Sequence, residues 1–232
     1  MTLAPIIEAV GVEPYFRDGS VVIYHGDARD ILPLIPAGSV DLVLTDPPWG
    51  VGANTDSTRF TRPHQSDKWG KGRSDWGAII GDDQPFDPRP LLAFPAAIIW
   101  GANHFAQRLP VGTWLVWVKR APHLYGSFLS DCELAWQTGG VGVYAYEQQF
   151  PPPSRMAEGN GQCLHPTQKP FGLMKFCLNR FPDAQTVLDP FMGSGTTLRA
   201  AKDLGRYAIG IEIEERYCEI AAKRMAQSVM AL

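Results

Sequence analysis

The sequence is short of several things, and each shortage narrows its function. Its four cysteines, Cys132, Cys163, Cys177 and Cys218, lie far apart, with no CxxC pair and no neighbouring histidine pattern of zinc-ligand type. That excludes a disulfide scaffold, and the thiols read as those of a reducing compartment with no metal expected. No apolar run approaches ~18 residues, and the opening MTLAPIIEAVGVEP has no basic region followed by a long apolar segment. Neither a membrane span nor secretion is expected, so the chain reads as cytoplasmic. Basic charge is not in excess either: 21 Lys and Arg stand against 24 Asp and Glu, a net charge of −3, which argues against a globally basic surface that wraps nucleic acid. There is no internal repeat and no low-complexity tract. With 232 residues, 45% of them hydrophobic and 11% aromatic, the chain can bury a sizeable core, and it reads as one domain.

What is present is organised around Thr45-Asp46-Pro47-Pro48-Trp49-Gly50. These residues close an apolar run at 40–44, which places them at the carboxyl end of a parallel strand, where open α/β sheets bind ligands. Asp46 and the Pro47 carbonyl offer acceptors, and the two prolines contribute no amide donors between them. Such a site suits an amino group. The exocyclic amine of a nucleobase is a poor nucleophile because its lone pair is delocalised into the ring; accepting both of its hydrogens favours a pyramidal nitrogen and so the transition state. Trp49 offers a face for base stacking, typically worth ~1 to 3 kcal/mol per base. The competing reading is a rigid turn with Trp49 in the core.

Strands are expected at 21–24, 40–44, 97–100, 113–119, 186–189 and 208–213, and helices at 28–34, 103–109, 195–204 and 214–228. The spacing of Phe171, Met174, Leu178 and Phe181 predicts a further helix whose apolar residues pack, as do Tyr217, Ile220, Ala221 and Met225 of the last one. Residues 134–136 and 141–146 read as strands joined across Gly139 and Gly140 in an antiparallel hairpin at the sheet edge. Residues 148–162 read as irregular. Strand, helix, strand with short links is the βαβ signal, so the fold class is α/β with a parallel sheet. Residues 51–90 lack periodicity and follow the DPPW stretch directly, which suggests a lid or substrate-contacting insertion. Within it Arg59, Arg62, Lys68, Lys71 and Arg73 make a local basic patch, a candidate DNA-binding surface, and Trp69 and Trp76 could stack, wedge or anchor the loop.

A second constellation begins at residues 187–197, VLDPFMGSGTT: a strand, a glycine turn and a helix start. Gly193 and Gly195 let backbone approach a ligand, and the helix N-terminus favours an anion such as a carboxylate. Glu212 follows about 20 residues on, where an acidic side chain can take a ribose hydroxyl pair. No lysine follows the glycines, and Leu198 stands where a dinucleotide fingerprint would have its third glycine. Asp189 would repel a pyrophosphate and welcome an ammonium group. S-adenosylmethionine, with an ammonium, a carboxylate, a ribose and no phosphate, fits better than a dinucleotide.

Taken together, GDA at 26–28, LTDPPWG at 44–50, SDCELAW at 130–136, HPTQKP at 165–170, LDPFMGSGTT at 188–197 and GIEIEERY at 210–217 resemble the DNA amino-methyltransferases, which methylate adenine N6 or cytosine N4. The order of motifs is similar to that of the group often called β, in which the catalytic motif precedes the cofactor motifs. The resemblance implies a doubly wound, mostly parallel seven-stranded sheet, the Rossmann-like methyltransferase fold, with helices on both faces and one antiparallel strand. It implies that Asp46, Pro47, Pro48 and Trp49 hold a flipped-out base. It assigns the methionine part of the cofactor to Asp189, Phe191, Gly193, Ser194, Gly195, Thr196 and Thr197, its ribose to Glu212, and its adenine amino group to Asp27 beside Ala28. His165, Thr167 and Lys169 are implied to lie beside the cofactor. Little chain separates SDCELAW from HPTQKP, so DNA recognition falls to the 51–90 insertion or is relaxed. The expected enzyme is an adenine-N6 methyltransferase acting on DNA, as a monomer or homodimer, with cytosine N4 as the alternative target. A dinucleotide-dependent oxidoreductase would leave DPPW unexplained, and a silent DNA-binding module would leave intact catalytic stretches without a use.

Overall fold

A computed structural model describes residues 2–53, 56, 77–126, 130–159, 164–165 and 167–226. Among these, one sheet is built from nine strands: β1 (Phe16–Arg17), β2 (Val21–His25), β3 (Leu42–Thr45), β4 (Ala97–Trp100), β5 (Thr113–Val118), β6 (Cys132–Gln137), β7 (Val143–Glu147), β8 (Thr186–Asp189) and β9 (Tyr207–Glu212). Their order across the sheet is β1-β2-β9-β8-β3-β4-β6-β5-β7. From β2 through β4 every pairing is parallel. The class is therefore the expected α/β one. The resemblance implied seven strands and the apolar runs eight, 141–146 among them; the described sheet has nine, the short edge strand β1 being the one that no run signalled.

The central strands are apolar throughout because both faces are covered. Alternate residues feed two cores, since successive side chains of a strand point to opposite faces. Val21, Ile23, Leu42, Leu44, Ile98 and Trp100 pack on one face with Leu173 and Leu178 of α4 (Phe171–Asn179), Leu198 of α5 (Thr196–Asp203) and Ala221 of α6 (Glu215–Ala226). Val22, Tyr24, Val43, Ala97, Ile99 and Ile209 pack on the other with Ile6 of α1 (Ala4–Val10) and Ile31 of α2 (Ala28–Ile31). None of the described helices is long and apolar enough to cross a membrane.

The edge hairpin expected at 134–146 is corrected by the pairing. β6 runs antiparallel to β4 on one side and to β5 on the other, so both of its edges are taken. β7 pairs instead with the far side of β5, in parallel, from Trp114↔Val143 to Val118↔Glu147. Burial explains the choice: Ala135, Trp136 and Gln137 are buried, as befits an inner strand, whereas Val143, Tyr144 and Ala145 are exposed. The glycine link crosses the end of β5, where the Thr113 amide donates to the Gly139 carbonyl at 3.0 Å. A side chain on Gly140 would run into the Thr113 hydroxyl. Residues 148–162, expected to be irregular, contain α3 (Pro152–Glu158). Its prolines fall in the first turn, where missing amides cost nothing.

The carboxyl ends of β2, β9, β8, β3 and β4 share one edge of the sheet and present Asp27, Glu212, Asp189, Asp46 and Gly101 side by side. Chain order reverses direction between β8, which leads to β9, and β3, which leads to β4. Open α/β sheets bind ligands in that crevice.

Candidate active site

Asp46 directly follows β3, and its carboxylate is held on both oxygens. The Trp49 indole N–H donates to Oδ1 at 3.1 Å, and the Lys169 ammonium donates to Oδ2. Trp49 is fixed in turn by His104, in the short turn after β4, whose ring stacks on it with centroids 5.0 Å apart and planes 18° off parallel. It also lies against Gly101, which adopts φ +71°; a side chain there would fall inside the indole. The start of the following insertion is anchored by buried Asp82, whose carboxylate accepts from the amides of Gly50 at 2.8 Å and Ala53 at 2.6 Å. Arg59, Arg62, Lys68, Lys71 and Arg73, with Trp69 and Trp76, lie outside the described residues.

Lys169 continues into a chain of alternating charge. Its ammonium is 3.1 Å from Glu133 Oε2, on β6, and Glu133 Oε1 accepts from Lys119, just past β5, at 2.8 Å. Side-chain exposure is 6% for Lys169, 15% for Glu133 and 20% for Asp46, so these charges sit where solvent screens them little. Burial would push the Glu133 carboxyl up, but the ammonium groups of Lys169 and Lys119 hold it down to about 2. Burial outweighs the Lys169 charge at Asp46 and pushes that carboxyl up. Lys169 itself is held protonated, against burial, by its two carboxylates.

The other half of the site hangs on Asp189, the last residue of β8. It accepts the Thr45 hydroxyl at 2.7 Å and the Phe191 amide at 3.2 Å, yet no cation sits against it among the described residues, and burial drives its carboxyl up to about 6. Glu212, ending β9, receives the Gly193 amide at 2.9 Å and the Glu214 amide at 2.8 Å. Gly193, at φ +50°, is covered by the His165 ring, which also lies 4.4 Å from the Tyr217 ring. The Thr167 amide donates to His165 Nδ1 at 3.3 Å. Gly195, at φ +76°, lets the start of α5 meet Ala221.

Asp46, His165, Thr167, Lys169, Asp189, Phe191, Gly193, Ser194, Thr196 and Thr197 thus line one cavity, together with Gln168, Met174 and Met192. Pro47, Pro48 and Trp49 continue from its Asp46 side, and Glu212 borders it through Gly193. Asp27 stands apart: it caps α2 through the Arg29 amide at 2.8 Å and pairs with the Arg29 guanidinium, while Ala28 is buried in the core. Asp27 is nonetheless next to Glu212 in the sheet, since the Gly26 amide donates to the Glu212 carbonyl at 2.9 Å. Lys169 touches Asp46 and Glu133. Sequence reading missed Glu133, Lys119, His104, Gly101 and Asp82; the available signal was a charge inside or just beyond otherwise apolar strands, CELAWQ and TWLVWVK.

The donor set fits S-adenosylmethionine. A buried carboxylate without a cation suits its ammonium, Glu212 suits a diol, and Phe191 and Met192 supply apolar contact. The cavity, about 50 Å³, admits only a few water molecules.

Residues 98–223 match the N6_N4_Mtase family model, described as DNA methylase. The chain belongs to this DNA methylase family, the amino-methyltransferases of the N6 and N4 type. It is 26% identical over 273 aligned positions to the type II methyltransferase M.ScaI of Streptomyces caespitosus, covering 99% of this chain and 89% of that one. Among solved structures it is similar to the cytosine-N4-specific PvuII DNA methyltransferase, with TM-score 0.60 and 15% identity over 95% of this chain and 92% of the other. It is likewise similar to the M1.HpyAVI complex with S-adenosylmethionine, with TM-score 0.52 and 24% identity over 88% and 99%.

Proposed function

We propose that the protein transfers a methyl group from S-adenosylmethionine to the N6 amine of an adenine flipped out of DNA. The observation that carries this reading is the Asp46 carboxylate, fixed at the end of β3 beside the cavity that Asp189 and the glycine turn line. When bound, the cofactor supplies a methyl group made electrophilic by its sulfonium.

The chain's own residues do the rest by position. Asp189 takes the cofactor ammonium, the Gly193 to Gly195 turn its carboxylate and Glu212 its ribose. Asp46 and the Pro47 carbonyl accept the two hydrogens of the target amine, which localises its lone pair for in-line attack. Burial, by raising the affinity of Asp46 for a proton, makes it the nearest base for the one the amine sheds. The base must leave the stack because its amine cannot otherwise meet the methyl group. Trp49 packs beside Asp46 to support it. The 51–90 insertion, with its five basic residues, is assigned to DNA contact.

Cytosine N4 is the second reading, because that amine offers Asp46 and Pro47 the same pair of hydrogens. The test is mass spectrometry of nucleosides from unmethylated DNA of mixed sequence after incubation with protein and cofactor. N6-methyladenine is expected. N4-methylcytosine alone would replace the first reading with the second, and neither product, with cofactor binding intact, would overturn both.

A further inference from the structure

Glu133 and Lys119 have no part in the transfer outlined above, yet they are built into its site. Glu133 Oε1 is satisfied by Lys119 at 2.8 Å. Its Oε2 is shut off from water and is paired with the Lys169 ammonium at 3.1 Å, so that ammonium is shared between two buried carboxylates. A cation held between two carboxylates can shift towards either one without losing a charged partner. Meanwhile Lys169 donates to Asp46 Oδ2, one of the two carboxylate atoms available to a target amine. The hydrogen bond that Lys169 makes to Asp46 is therefore one the substrate competes for, and the carboxylate it can shift to is that of Glu133.

We propose that Lys169 holds the amine position of Asp46 in the free protein and is handed to Glu133 Oε2 when a target amine arrives, which makes Glu133, with Lys119 behind it, a positioning residue for methyl transfer. The inference rests on the reading of Asp46 as the amine acceptor. No covalent bond changes in the hand-over, and the ammonium keeps its three protons. Asp46 exchanges one N–H donor for another while Lys169 exchanges one carboxylate for another. The distance to Glu133 is already that of an ion pair, so reorienting the ammonium at the end of its stem is enough. Charge alternates along Asp46, Lys169, Glu133 and Lys119, so each cation keeps a carboxylate neighbour after the exchange. Removing either acid alone would strand a buried cation on the other.

The charged groups that face Lys169 are Asp46 from the end of β3 and Glu133 from β6. Lys119 stands behind Glu133, and Asp189 of β8 stands beyond Thr45 on the Asp46 side. The Trp49 ring lies 5.4 Å from the ammonium. With Glu133 neutralised, Lys169 has a single anionic partner. It clamps Asp46 more firmly near neutrality and loses its proton at a lower pH than in the parent.

The test uses initial rates of transfer from S-adenosylmethionine to unmethylated DNA of mixed sequence, between roughly pH 6.5 and 9, for the parent, Glu133→Gln, Glu133→Asp and Lys119→Met. Cofactor affinity is measured separately by calorimetry without DNA. Glu133→Gln is expected to bind cofactor within about threefold of the parent while its KM for DNA rises at least about tenfold near neutrality, with a smaller change in kcat. Glu133→Asp retains the charge and should show the parent's KM, and Lys119→Met, which leaves Lys169 as the one cation against Glu133 among the described residues, should show a KM no higher than the parent's. Unchanged KM in Glu133→Gln, in a protein whose activity is abolished by Asp46→Ala, would overturn the hand-over and leave the reading of Asp46 standing. Activity that survives Asp46→Ala would overturn that reading itself. If Glu133→Gln loses cofactor binding and so fails to fold, the other two variants decide: a KM for DNA raised at least about tenfold in Lys119→Met or in Glu133→Asp, with cofactor affinity intact, refutes the hand-over.

Discussion

Asp189 is costly to the protein by its burial, and on the proposed reading the cofactor ammonium offsets that cost. Its carboxyl is raised to about 6 by burial, from an ordinary value of 3.8. The folded state therefore binds more protons than the unfolded state between those values, and stability falls as pH rises from about 4 through about 6. The penalty above that range is at most roughly 3 kcal/mol, about two pKa units at 1.36 kcal/mol each. Asp189→Asn keeps the acceptor for Thr45 and removes the charge. The ligand-free variant is expected to melt above the parent at alkaline pH, with the difference vanishing near pH 4, while its affinity for S-adenosylmethionine drops. A melting difference independent of pH would contradict this. The place of Asp189 at a strand end beside the glycine turn was legible in the sequence because strand, acid and glycine turn are contiguous. The partnership of Asp46 with Lys169 was not, since the two are 123 positions apart and only the placement of β3 beside the segment ahead of α4 joins them. His104 was equally silent: nothing in its neighbourhood distinguishes a histidine that stacks on Trp49 from one at the surface.

At the scale of elements, the strands and helices flanking the site could be read from apolar runs and glycine punctuation, and β3, β4 and β8 fall where those signals put them. The failure at β6 and β7 has a physical origin. Two short strands separated by glycines look like a hairpin locally, and only the competition of β4 and β5 for the edges of β6 rules it out. Likewise α3 begins with prolines, which signal a break when position within the helix is unknown. The loop after DPPW has a clamp that composition did not reveal, Asp82 gathering the amides of Gly50, Val51 and Ala53. Asp82→Ala leaves those amides without their acceptor, and hydrogen bonds to a charged group are worth about 1.5–3 kcal/mol each. Amide exchange at residues 50–53 should accelerate by at least about tenfold, a change of 1.4 kcal/mol or more in local opening, while β8 and β9 stay protected. Equal protection in the variant would show that the clamp is dispensable.

Across the whole molecule, the site proposed for the chemistry lies at one edge of the sheet because five parallel strands end there together. Binding and acceptor groups thus come from rigid strand ends, which keep Asp46 and Asp189 in fixed relation through the hydrogen bond from Thr45. The glycine turn and the segment bearing His165 and Thr167 meet at that edge. What could not be read from sequence is the packing of His165 over Gly193 and against Tyr217, three positions in separate segments. The most direct measurement of whether the assembly works as an amino-methyltransferase centred on Asp46 is methyl incorporation into unmethylated DNA by Asp46→Ala, with cofactor affinity determined on the same preparation. Turnover is expected to fall at least about a hundredfold with cofactor affinity within about threefold of the parent. Turnover above roughly a tenth of the parent's, a loss of less than 1.4 kcal/mol in the transition state, would contradict the role given to Asp46.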